Sequence, residues 1–169
     1  MNIHIRAMTE SDWSSVAEVY REGIETGHAT FETSVPTWER WDGAHVDSCR
    51  FVAELDGDVV GWAGLSVVSD RCVYGGVAEV SVYVGSSGRG KGVGTRLLSA
   101  VVEASEKAGV WSLQAGMFPE NAGSIALHSK CGFRQVGRRE RIGKMDLGPM
   151  KGKWRDVLLL ERRSTTVGL

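Results

Sequence analysis

Ile3 and Ile5 alternate with His4 and Arg6, the two-residue repeat of a strand with one buried face. Thr9 or Ser11 then offers a cap to a helix that places Trp13, Val16, Ala17 and Tyr20 on one side. Pro36 to Trp41 opens a second, short helix. Phe51–Leu55 and Val59–Val68 read as strands joined at Asp56–Gly57, a strong hairpin turn signal. Val77–Val84 is a further strand, with Val80, Val82 and Val84 on one face and Glu79, Ser81 and Tyr83 on the other. A long helix follows, its apolar face formed by Val93, Leu97, Val101, Ala104 and Ala108, with Gly109 as its stop. Trp111–Phe118 predicts a strand and Asn121–Lys130 a helix ended near Gly132. Phe133–Val136 and Trp154–Leu160 predict the last two strands, with Trp154 in the core. The chain is thus α/β, hairpins first and strand–helix alternation later. One domain is expected over residues 1–163, followed by a disordered tail over 164–169.

Composition narrows the class. The chain has 169 residues, 42% hydrophobic and 24% charged, as ordinary globular domains have. The longest uncharged apolar stretch, Val59–Ser69, is too short to span a bilayer and is broken by glycines, so no membrane partner is expected. Arg6, Glu10 and Asp12 stand where a signal peptide needs an apolar run. Cys49, Cys72 and Cys131 have no metal spacing and read as reduced, mostly buried thiols of a cytoplasmic protein. A net charge of −1 argues against nucleic acid. That average hides an asymmetry, because residues 130–169 carry eleven basic and four acidic side chains. A basic third of this kind suits an anionic ligand or a solvated face equally well.

The most informative segment joins the Val77–Val84 strand to the long helix. Gly85-Ser-Ser-Gly-Arg-Gly-Lys-Gly-Val-Gly94 contains five glycines in ten residues. Glycines permit positive φ and close backbone approach, and the first amides of a helix lack intrahelical acceptors. Together they make an anion seat suited to a pyrophosphate. The G-x-G-x-x-G dinucleotide pattern does not fit in register. A Walker loop fits from Gly85 to Lys91 but then meets Gly92, where a Ser or Thr should hold magnesium.

Arg89-Gly90-Lys91-Gly92-Val93-Gly94 resembles the R/Q-x-x-G-x-G/A loop of the GCN5-related N-acetyltransferases, and its strand-before, helix-after context matches as well. Asn121-Ala-Gly-Ser124, Leu127-His128 and Cys131-Gly-Phe133 resemble the same family's downstream segment. Thr30-Phe31-Glu32, Arg71-x-x-Tyr74, Glu79–Val84 and Gly152–Asp156 resemble its phosphinothricin N-acetyltransferase branch. Tyr74–Glu79 and Arg139–Gly143 resemble the arsinothricin-resistance enzymes within that branch. The chain departs from the branch at Gly75–Gly76, at Val77–Ala78 and in an apparent insertion, Met145–Met150.

The resemblance implies a single mixed, mostly antiparallel twisted sheet flanked by helices. It implies acetyl-CoA as co-substrate, no metal, a small-molecule amine as acceptor and a homodimer. Its implied cofactor contacts are Val82, Tyr83 and Val84, the loop residues Arg89, Gly90, Lys91, Gly92, Val93, Gly94 and Thr95, then Asn121, Ser124 and Lys130. Phe31, Arg71 and Tyr74 are the implied acceptor contacts, with Arg71 able to pair a carboxylate or phosphinate.

An amine attacks a thioester only when neutral, so a base must take a proton. Glu79 is the candidate. It lies five residues before Val84, roughly 16 Å along a strand, a span an extended pantetheine arm would largely cover. His128 stands where many relatives place a tyrosine and is open to roles as acid, base or substrate contact. The expected acceptor is the α-amine of an acidic amino-acid analogue. An enzyme acting on protein N-termini or lysines, and a noncatalytic acyl-CoA-binding module, are the alternatives.

Overall fold

The computed structural model describes residues 2–169. Strand β1 (Ile3–Ala7) leads into a single 3-10 turn whose cap is reciprocal between Thr9 and Asp12. The Arg6 guanidinium, bonded to Asp12, holds that carboxyl down at about 2. Helix α1 (Trp13–Thr26) follows and ends on Gly27 in the left-handed region. Helix α2 (Trp38–Ala44) is capped by the Thr37 hydroxyl. Strands β2 (Phe51–Leu55) and β3 (Asp58–Val67) form the expected hairpin, and β4 (Val77–Val84) pairs back on β3. Helix α3 (Val93–Lys107), β5 (Ser112–Met117) and α4 (Ala122–Lys130) come next, then β6 (Arg134–Lys144) and β7 (Trp154–Arg163).

The seven strands form one sheet in the order β1-β2-β3-β4-β5-β7-β6. Among the described residues, β4 and β5 are the only parallel neighbours, and they pair only from Val77–Ser112 to Glu79–Gln114. Beyond that point β4 stays with β3 while β5 stays with β7 as far as Met117. A wedge therefore opens in mid-sheet immediately after Glu79.

Strand alternation sorts two cores. Ala63, Leu65, Ala78 and Val80 face α3, where they bury Leu97, Leu98 and Val101 completely. Each such side chain contributes about 2 kcal/mol through apolar area removed from water. Trp62 and Tyr83 face the other way, into an aromatic layer with Tyr20 of α1 and Trp41 of α2. Glu79, Ser81 and Tyr83 of β4 lie on this second face, while Val82 and Val84 face α3.

Four sequence expectations are corrected. Strand β6 runs eight residues past Val136. Its arginines are exposed along an edge strand, so no hydrophobic alternation marks it, and pairing with β7 defines it instead. Trp154 is 58% exposed rather than in the core. Cys72 is exposed, while Cys49 is buried. The tail forms no helix or strand but is tied down: buried Ser164 donates its amide to the Trp111 carbonyl and its hydroxyl to Glu106, and Arg163 bonds the Val167 and Gly168 carbonyls. Among the described residues, no helix is long and apolar enough to cross a membrane.

Candidate active site

The glycine-rich loop closes the end of the wedge. Gly85 donates to the Val60 carbonyl, Ser86 to the Glu22 carboxylate at 2.7 Å, and Arg89 Nε to the Val84 carbonyl at 3.2 Å. Gly92 caps α3 at φ +83° with open space around it, and Arg96 is the first amide to bond back, to the Gly92 carbonyl. The amides of Val93, Gly94 and Thr95 are thus left without intrahelical acceptors at the positive end of the helix. Gly94 lies tight under Leu127 of α4, where a Cβ would come within 3.0 Å. The exposed side chains of Arg89 and Lys91 flank the seat. A diphosphate fits this arrangement, and a pantetheine amide fits the released β4 edge at Val82 and Val84. The sequence-expected cofactor set is therefore gathered in one place, except for Lys130, which is exposed at the far end of α4, and the Tyr83 ring, which packs in the aromatic layer.

On the aromatic face the wedge opens into a cavity of about 650 Å³. Glu79 is half-buried there, and Gln114 Nε2 donates to its Oε2 at 3.1 Å. That bond orients the carboxylate and leaves Oε1 free of it. The Tyr83 ring packs into the aromatic layer, stacked on Trp62 at 4.8 Å and edge-on to Tyr20. Burial pushes the Tyr83 phenol well above its usual range, so it stays protonated.

His128 is buried, and its Nδ1 lies 2.8 Å from the Ser124 carbonyl. A carbonyl only accepts, so the proton is on Nδ1 and Nε2 carries the lone pair. That Nε2 is buried and has no partner. Burial lowers the imidazole pKa and keeps it neutral. Asn121 caps α4 through Ser124 N and donates Nδ2 to the His28 carbonyl at 3.3 Å, so it ties the helix to the loop after α1. Phe31 of that loop meets Phe118 edge-on at 4.9 Å and lies directly on Gly143.

Arg71 and Tyr74 do not line the cavity. They sit together on the exposed turn between β3 and β4, the guanidinium 5.3 Å from the ring centroid. Arg139 is the only lysine or arginine among the described residues that lines the cavity. A bulge in β6 places it there. Register is lost between Arg139 and Gly143, and Asp156 pins the bulge by accepting from Arg141 N and Arg138 Nε, each at 2.7 Å. Arg155 is the second residue whose role the sequence did not reveal. Fully buried, it donates to the Gly27 carbonyl at 2.7 Å, meets His28 Nδ1 and Glu120, and lies 3.9 Å over Phe118. It joins the loop after α1 to the β5–α4 turn. Among the described residues, no three His, Cys, Asp or Glu side chains gather as a metal ion would require.

Comparison with known proteins agrees with this geometry. Residues 13–133 match the acetyltransferase (GNAT) family. The phosphinothricin N-acetyltransferase of Alcaligenes faecalis is 32% identical, the match covering 94% of this chain and 81% of that protein. The L-methionine sulfoximine/L-methionine sulfone acetyltransferase of Pseudomonas aeruginosa is also 32% identical, over 95% of this chain and 94% of its own length. A crystal structure of a Sinorhizobium meliloti phosphinothricin acetyltransferase in complex with acetyl-CoA superposes with a TM-score of 0.85 at 28% identity, covering 99% of this chain and 91% of that one. The chain belongs to the GNAT family and is an acetyl-CoA-dependent N-acetyltransferase.

Proposed function

We propose that the acceptor is the α-amine of a small amino-acid analogue bearing a second acidic group, of the phosphinothricin, methionine sulfoximine or arsinothricin type, and that acetylation inactivates it. One juxtaposition carries this reading: Glu79, oriented by Gln114, stands where the wedge meets a cavity with a single cationic side chain, Arg139, on its wall. The names of the two curated relatives support the same substrate class. Phe31, lying between Phe118 and Gly143, narrows the cavity against an extended peptide.

Bound acetyl-CoA supplies an acetyl group activated as a thioester. The Val93–Thr95 amides seat its diphosphate, and the free β4 edge aligns its arm. Glu79 takes a proton from the acceptor's ammonium, directly or through water, and so generates the nucleophile. A β4 amide, that of Val82, faces the developing oxyanion. His128 is neutral, protonated on Nδ1 and sealed at Nε2, so it shapes the cavity wall rather than moving a proton. Arg139 takes the acceptor's second acidic group. Exposed Val67, Val73 and Tyr74 at the β3–β4 turn are the surface this reading assigns to a homodimer.

The test measures free thiol release with saturating acetyl-CoA against a panel of free amino acids, their phosphinic, sulfoximine and arsinic analogues, and N-terminal peptides. Turnover is expected with the acidic analogues. Turnover confined to peptides would overturn the reading.

A further inference from the structure

We propose that His45 is a second proton acceptor for the acceptor amine, working across the cavity from Gln114. This deepens the function proposed above and rests on it. The nitrogen loses two protons in each turnover: R–NH3+ and the thioester give R–NH–CO–CH3, a thiol and one H+. The N–C bond forms, the C–S bond breaks with its electron pair going to sulfur, one proton ends on that sulfur and one reaches solvent. Glu79 accounts for one of the two removals.

His45 follows the last residue of α2. Its Nδ1 lies 2.6 Å from the Trp41 carbonyl, so Nδ1 carries the proton and Nε2 the lone pair. The ring is stacked on Trp41 at 3.9 Å, 14° from parallel. Its Cδ2 edge rests on Gly64, where a Cβ would lie only 3.1 Å away. Gly64 pairs with Ser81, and Ser66 pairs with Glu79. The imidazole is therefore one two-residue strand step from Glu79 on the same sheet face, roughly 7 Å. It lines the main cavity and also an adjoining aromatic chamber of about 240 Å³ bounded by Tyr20, Trp41, Trp62 and Tyr83. Among the described residues Nε2 has no protein partner, yet it is not sealed as His128 Nε2 is. Of the two cavity histidines, only His45 offers a reachable lone pair.

The charges around it suit a neutral base. Burial, followed by the Arg50 charge, lowers its pKa, against the bond to Trp41. Arg50 is itself paired with Asp42 and Asp47. Across the cavity stand Glu79 and Tyr83 of β4, Tyr20 of α1 and Glu32 of the loop after α1. These acidic and phenolic groups hold an ammonium near Nε2, while Arg139 on the wall of the main cavity and Arg40 in the adjoining chamber are cations that favour the neutral imidazole.

The experiment uses the full chain with His45→Asn, which keeps a donor for the Trp41 carbonyl and deletes Nε2, and with His45→Gln. Readouts are kcat and KM for the acceptor from pH 5 to 9, and the acetyl-CoA dissociation constant by calorimetry. A base must be neutral, so the wild-type rate climbs as pH rises through a pKa below the usual imidazole value of about 6.5. In His45→Asn, kcat should fall about 100-fold, the lower end for a general base, and that acid limb should flatten while acetyl-CoA binds as before. An unchanged kcat and limb in either variant that still binds acetyl-CoA would overturn the proposal. If neither variant binds acetyl-CoA, ring-nitrogen NMR of the wild type decides. A His45 Nε2 signal that moves on acceptor addition supports it, and a static one rejects it. Wild type that binds acetyl-CoA yet acetylates no amine would instead sink the substrate reading, and this inference with it.

Discussion

The half of the site proposed to take the cofactor and the half proposed to take the acceptor are built on different principles. The cofactor half is one continuous run, β4, the glycine loop and the first turn of α3. Its chemistry is carried by backbone amides, presented by glycines and by a helix start. The acceptor half draws on Thr30–Glu32, His45, Ser66, Gln114 to Phe118, Arg139 to Gly143 and Val157 to Leu159. Its chemistry is carried by side chains that meet only once the sheet has formed. Buried Arg155 and the Asp156-pinned bulge hold several of these segments in place. A site made of backbone tolerates change in side chains but not in φ; a site made of side chains behaves in the opposite way.

Glu79 is the seam between the halves, and the largest effect is expected there. Glu79→Gln keeps the shape and a partner for Gln114 but cannot take a proton. The kcat should fall roughly 10²- to 10³-fold, the range removed with a positioned base, while acetyl-CoA affinity stays within about twofold. Steady-state kinetics with saturating acetyl-CoA, paired with calorimetry, check this. A loss of affinity equal to the loss of rate would mean that Glu79 belongs to the cofactor half, and the two-part description would fail.

Next in size is Gly92→Val. The residue sits at φ +83°, and a β-branched side chain there costs about 1–2 kcal/mol. Nothing lies within 4 Å of its missing Cβ, so the cost is conformational and not steric. The helix start either strains or rotates its free amides. Thermal unfolding should drop by several degrees and the acetyl-CoA dissociation constant should rise about tenfold, with the acceptor KM unchanged at saturating cofactor. A shift in acceptor KM alone would contradict the division.

This asymmetry explains what could be read from the chain. The Val77–Val84 strand, the loop and the long helix were legible because local residue types determine local backbone: alternating valines, clustered glycines and an apolar helical stripe. Glu79 was legible as a position on that strand. Strand β6 was legible only at its start, because its arginine-rich face on an edge strand gives no periodic signal beyond Val136, so Arg139 was seen only as part of a motif. Arg71 looked like the acceptor's cation because residue type suggested it, but the turn that carries it lies beyond the cavity. His45 carried no spacing signal, and Arg155 was seen only inside the Gly152–Asp156 motif. Their meaning depends on a 2.6 Å bond to a carbonyl and on the burial of a charge, both products of tertiary packing.

The smallest effect tests the acceptor half alone. Arg139 is exposed, and no acidic side chain pairs with it among the described residues. A charge-assisted hydrogen bond contributes about 1.5–3 kcal/mol when sheltered, but exposed ion pairs rarely exceed about 1 kcal/mol. Arg139→Ala should therefore raise KM for an acidic acceptor about fivefold, leave kcat and acetyl-CoA affinity alone, and leave a neutral amino acid unaffected. Arg139→Lys keeps the charge but loses the fork, and should recover part of the difference. The discriminating quantity is the ratio of kcat/KM for the acidic acceptor to that for its neutral isostere. In wild type and in Arg139→Lys that ratio should exceed its value in Arg139→Ala, and raising the salt concentration should compress it, since the pair is screened by ions. A ratio indifferent to both the substitution and the salt would mean that the cavity reads the acceptor by shape alone, with Phe31 and the β6 bulge as its selectors and Arg139 as a bystander on their rim.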